Sequence, residues 1–104
     1  MQIQFNTDNN VTGSEDLIAS STSLISEELS RFSHQITRVE VHLSDEDGNK
    51  DGVNNKRCMV EARLAGMNPI AVTHHANTPE QAIMGAIDKL KTSMETLTGR
   101  LNNY

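Results

Sequence analysis

Along this chain hydrophobic residues recur every second position in some stretches and at about 3.6-residue spacing in others, and the switches delimit six elements. In residues 2–6, Ile3 and Phe5 alternate with polar neighbours, which predicts a half-buried strand. Asp8, Asn9 and Asn10 supply a turn. Thr12, with Glu15 three residues later, reads as a capping box: hydroxyl and carboxylate each satisfy a backbone donor of the first helical turn. The helix that follows runs to about residue 32, because Leu17, Ile18, Leu24, Ile25, Leu29 and Phe32 return on one face. Its other side is rich in Ser, a weak helix former, so this helix depends on packing more than on local propensity.

From residue 36 to 44 the period becomes two, with Val39, Val41 and Leu43 facing one way and Arg38, Glu40 and His42 the other. Residues 45–55 are polar and carry Gly48 and Gly52, a long hairpin loop. Alternation resumes over 56–65, setting Cys58, Val60, Ala62 and Leu64 against Arg57, Met59, Glu61 and Arg63. Gly66, Met67, Asn68 and Pro69 make a tight connection, and Ile70–Ala76 forms the last strand, with Ile70, Val72 and His74 inward. Thr78, Pro79 and Gln81 are a second helix start: cap, first helical residue and box partner. Ala82, Ile83, Ala86, Ile87, Leu90, Met94, Leu97 and Leu101 then keep helical spacing for about five turns, with Gly99 near the end. Strands with one apolar face need cover on one side, and two amphipathic helices supply it. The expected class is α+β: a two-layer sandwich, β-α-β-β-β-α, whose four-stranded, mostly antiparallel sheet carries both helices on one face.

The 104 residues suit one core, so residues 1–104 are expected to form a single domain. Hydrophobic content is 36%, and the only aromatics are Phe5, Phe32 and Tyr104. The core therefore rests on Ile, Leu, Val, Ala and Met, and a large buried pocket is not expected. No apolar run approaches the ~18 residues of a membrane helix, and the first residues lack a signal-peptide pattern. Cys58 is the only cysteine, so no internal disulfide forms; these features together favour the cytoplasm.

Chemistry beyond folding is sparse. No Gly-rich phosphate loop, nucleophile elbow or Ser/His/Asp constellation is recognisable, so neither catalysis, a cofactor nor a small-molecule substrate is expected. Oxygens alternate through Asp45, Asp47, Asn49 and Asp51 as in a calcium loop. However, Lys50 and Lys56 stand where an EF-hand needs Gly and Glu, and a solvated loop is the expectation. His34, His42, His74, His75 and Cys58 lack zinc spacing, and adjacent His74 and His75 on a strand point to opposite faces. Cys58 falls on the apolar side of its strand, where a thiol is a small core residue.

Three stretches carry a resemblance. The opening strand leads into Asp8-Asn9-Asn10-Val11, and Arg38-Val39-Glu40-Val41-His42-Leu43 follows a helix ending in an aromatic. Ala86-Ile87-Asp88-Lys89-Leu90 then forms the middle of the last helix. In this order the chain resembles the ribosome hibernation-promoting factor and ribosome-associated inhibitor family along essentially its whole length. Residues 56–66, from Lys56-Arg57-Cys58 to Ala65-Gly66, look like a short, acidic subgroup of it. The resemblance implies the fold just described and docking on the small ribosomal subunit, on its RNA and proteins, in the decoding region where translation is suppressed under stress. Two features depart from typical members. The basic end of the final helix reads Glu95-Thr96-Leu97-Thr98-Gly99-Arg100, with only Arg100 basic. The chain also ends after that helix, so the dimerisation domain of long members is not expected.

Nine Lys and Arg against fourteen Asp and Glu give a net charge of −5, which opposes general nucleic-acid affinity and makes any RNA contact depend on a local patch. Arg38, Arg57 and Arg63 fall on outer strand faces, with Lys56 at a strand start; as neighbours they would share a patch suited to phosphate. The alternative is cross-strand pairing with Glu40 and Glu61. Lys89, Lys91 and Arg100 are the helical candidates, with a solvated charged face as the alternative, as for Arg31. The leading expectation is a ribosome-associated binding protein. A protein-interaction module that has lost RNA binding and a self-associating protein are the other readings.

Overall fold

The computed structural model describes residues 1–7, 15–45 and 56–102. The expected turn at Asp8, the cap at Thr12 and the loop after Asp45 lie outside them. β1 (Gln2–Thr7) pairs in parallel with β2 (Ile36–Asp45), in register from Gln2 opposite Arg38 to Thr7 opposite Leu43. A parallel neighbour needs a crossover that returns the chain to the same end of the sheet, and α1 (Glu15–Glu28) provides it. The remaining pairings are antiparallel: β2 with β3 (Lys56–Leu64), and β3 with β4 (Ile70–Ala76), in the order β1-β2-β3-β4. α2 (Pro79–Asn102) lies on the same face as α1, across β3 and β4. The sheet is therefore mixed but mostly antiparallel.

Alternation decides which side chains face the helices. Val39, Val41, Leu43, Cys58, Val60, Ala62 and Leu64 are buried there against Ala82, Ile83, Ala86, Ile87, Leu90 and Met94 of α2. From the first helical segment Ile25, Leu29 and Phe32 join this core, whereas Leu17, Ile18 and Leu24 stay partly exposed. The expected helix to residue 32 is interrupted: α1 stops at Glu28 and Ser30–Phe32 tighten into a 3₁₀ turn, with the Phe32 N–H donating to the Leu29 carbonyl at 3.0 Å. Three residues per turn bring Leu29 and Phe32 to the same side, and both are buried. At the start of α2 the Gln81 N–H donates to Thr78 Oγ1 at 3.2 Å, the cap expected from sequence. Gly66 turns the chain between β3 and β4 with φ +71°, a left-handed conformation that glycine adopts without steric cost.

Candidate nucleic-acid interface

No described element covers the other face of the sheet, and the register fixes its surface row by row. Gln2, Arg38 and Arg63 lie abreast, then Gln4, Glu40, Glu61 and Ala71, then Asn6, His42, Met59 and Thr73, and finally Ser44, Arg57 and His75. Arg38 directly opposes Arg63, and Glu40 directly opposes Glu61. Like charges face to face are unfavourable, and ion pairs along each strand and one across the diagonal offset this. Arg38 reaches Glu40 at 3.2 Å, while Arg63 lies 3.8 Å from Glu40 and 3.4 Å from Glu61. Arg63 and Arg38 keep 57% and 40% of their side chains exposed, so the guanidiniums remain accessible to a partner while paired. Arg57 lies six residues along β3 from Arg63, roughly 20 Å at strand rise, at the opposite end of the face.

The expected patch of three arginines is reduced to two, because register sets Arg57 at the far end of the face, and the alternative pairing with Glu40 and Glu61 is present in the same place. Arg38 and Arg63 share a patch, and they share it with Glu40 and Glu61. Lys56 takes the parity of Cys58 and sits on the helix-covered side, where its Nζ lies 2.9 Å from the buried Asp45 carboxylate. Strand alternation signalled this placement, and the antiparallel register supplied the Asp45 partner.

The helical cations are engaged as well. Lys91 Nζ donates to Glu28 at 2.8 Å, and the carboxylate holds the ammonium above its ordinary pKa through hydrogen bond and charge. Lys89 Nζ donates to the Thr73 carbonyl at 2.8 Å, and Arg31 forms an ion pair with Glu95 while lying over the Phe32 ring. Arg100 is placed in α2. On the helical layer seven carboxylates (Glu15, Asp16, Glu27, Glu28, Glu80, Asp88 and Glu95) meet three described cations (Arg31, Lys89 and Lys91). The open sheet face carries Arg38, Arg57 and Arg63 against Glu40 and Glu61, with His42 and His75 beside them. Among the described residues charge is thus divided between the layers, negative over the helices and mildly positive over the open sheet face.

The remaining singled-out residues have structural surroundings. His74 turns inward and its ring lies against Gly85 of α2, while His75 faces out opposite Arg57. Cys58 is fully buried, and burial pushes its thiol up to about 12, against a smaller lowering from Arg57. Among the described residues no three His, Cys, Asp or Glu side chains come together as a metal site requires, and no helix is long and apolar enough to cross a membrane.

The comparisons with known proteins agree with this architecture. The Thermus thermophilus Protein Y N-terminal domain superposes with a TM-score of 0.72 at 20% identity, covering 93% of this chain and 99% of that one. A ribosomal subunit interface protein from Coxiella burnetii gives 0.69 at 17% identity, covering 95% and 99%. At these identities the likeness shows the fold. No curated protein matches the sequence. Residues 6–102 match the family model described as Sigma 54 modulation protein / S30EA ribosomal protein, and the chain belongs to that family.

Proposed function

We propose that this protein associates with the ribosome, docking on the small subunit near the decoding region and suppressing translation, in the cytoplasm. The observation that carries the reading is the family match across residues 6–102, in a chain whose fold is that of a protein Y domain. The open sheet face supports it, because Arg38, Arg57 and Arg63 all lie on the side that no described element covers. This reading assigns phosphate contact chiefly to those arginines. Lys56, Lys89 and Lys91 would have to leave Asp45, Thr73 and Glu28 to take part. With Glu40 and Glu61 inside the patch, RNA competes with existing ion pairs for the guanidiniums, and the affinity should fall with salt.

Co-sedimentation with purified small subunits across a salt series tests the proposal. Binding is expected at low salt, weakened by Arg57→Glu and Arg63→Glu more than by Lys50→Glu. No binding at any salt would sink the ribosomal reading. The net charge of −5 and the acidic helical layer favour one second reading, a protein-interaction module on this fold that has lost RNA binding. A partner retained after nuclease treatment, without ribosomes, would select it.

A further inference from the structure

α1 and α2 lie side by side, and a furrow runs between them. At its start Leu17, Leu24, Ile83 and Met84 line a cavity of about 260 Å³ with Glu80 at the edge. Next in line, Glu27, Glu28, Lys91, Arg31 and Glu95 line about 450 Å³. Arg31 and Glu95 are shared with a third cavity of about 300 Å³, floored by Phe32 and closed by Thr98, whose hydroxyl is buried without a hydrogen-bond partner. Met84 is 45% exposed, an unbranched thioether side chain on the furrow wall that adapts to whatever packs on it. The apolar part, from Leu17 to Leu24, follows about two helical turns, roughly 10 Å, before the ion pairs of Glu28 with Lys91 and Arg31 with Glu95 bridge the furrow.

Charge decides what fits. Both furrow cations are already taken, Arg31 by Glu95 and Lys91 by Glu28, whereas Glu27 and Glu80 have no ion pair among the described residues. The uncompensated charge beside the apolar first cavity is therefore negative. Phosphate is repelled here, so this face suits a protein and not RNA. We propose that the furrow docks an amphipathic cationic helix of a protein partner. Apolar residues at i, i+3 or i+4 and i+7 seat on Leu17, Leu24, Ile83 and Met84, and Lys or Arg on its flanks meet Glu27 and Glu80. The site lies on the opposite side from the arginines of the sheet, so it goes beyond the ribosomal reading and leaves that face open.

The test uses the full chain and a fluorescein-labelled peptide of about 15 Leu and Lys residues, with leucines at helical spacing, beside a scrambled peptide of the same composition. Fluorescence anisotropy at about 0.15 M salt should show the patterned peptide binding at least about tenfold tighter than the scrambled one. Met84→Ala and the pair Glu27→Lys with Glu80→Lys should each weaken it about five- to tenfold, with unchanged urea midpoints. Amide NMR shifts should map to α1 and α2. Equal binding of both peptides, no binding, or shifts confined to the sheet would overturn the proposal. So would a dimer of the free chain, seen by light scattering and abolished by Met84→Glu, which would hand the furrow to a second copy. Unaltered small-subunit co-sedimentation of the charge-reversed pair separates this inference from the ribosomal one.

Discussion

His74 and Gly85 show how one residue's identity is set by another eleven positions away. A Cβ built on Gly85 would sit 2.0 Å from His74 Cδ2 and 2.3 Å from Nε2, so only glycine lets the imidazole lie against the helix backbone. In an isolated helix Gly→Ala stabilises by about 1 kcal/mol. Here Gly85→Ala should instead destabilise by about 1–3 kcal/mol through overpacking, and His74→Ala with Gly85→Ala should recover the loss, both read from urea unfolding. Cys58 illustrates a second residue-scale effect. Its thiol, ordinarily near 9, is pushed up to about 12 by burial. Between these values the unfolded chain loses the proton while the folded one retains it, so stability must fall as pH rises through the window. The slope tends to about 1.4 kcal/mol per pH unit for one proton. Denaturant titrations from pH 8 to 11 should show Cys58→Ala with a shallower decline than the parent, and identical slopes would refute the assignment.

At the scale of elements, the helices differ in what holds them. α2 carries its own signals, namely the Thr78 cap, Pro79 at the first position and an apolar stripe that is buried from Ala82 to Met94. Thr78→Ala should cost about 1 kcal/mol, visible as a lower urea midpoint at unchanged m-value. α1 is Ser-rich, and of its apolar residues only Ile25 is fully buried, beside the small buried Ser21, while Leu17 packs partly exposed against the core. The last residue of α1, Glu28, is tied to α2 by Lys91, and Arg31 in the 3₁₀ turn that follows is tied by Glu95, links spanning 63 and 64 residues of sequence. Helical phasing would have placed those four side chains on outward stripes. It could not pair them, because it says nothing about which helices lie adjacent or how far one is displaced along the other.

For the whole molecule, the layered separation of charge matters more than the net value of −5. Among the described residues the arginines of the strands are collected on one face and the helical carboxylates on the other, so a polyanion meets less repulsion at the sheet than at the helices. With two or three phosphate contacts, the logarithm of ribosome affinity should fall with the logarithm of salt at a slope of about −2 to −3. A sedimentation series with a slope near zero would mean that phosphate contacts contribute nothing. A slope far steeper would mean that cations beyond Arg38, Arg57 and Arg63 take part.

Local chemistry alone carried much of this protein. Period-two and period-3.6 spacing, the Thr78 cap and the glycine turn determined the described elements nearly residue for residue, because burial of one face is written into alternation. The same alternation placed Arg38, Arg57 and Arg63 outward and Cys58 inward. Tertiary structure alone decided the parallel pairing of β1, the opposition of Arg38 to Arg63 and the distance of Arg57 from both. It also decided the engagement of Lys56, Lys89 and Lys91. These depend on register and on helix placement over the sheet, which arise from packing between segments distant in sequence. A patch is a property of neighbours, and the chain's own order does not state who they are.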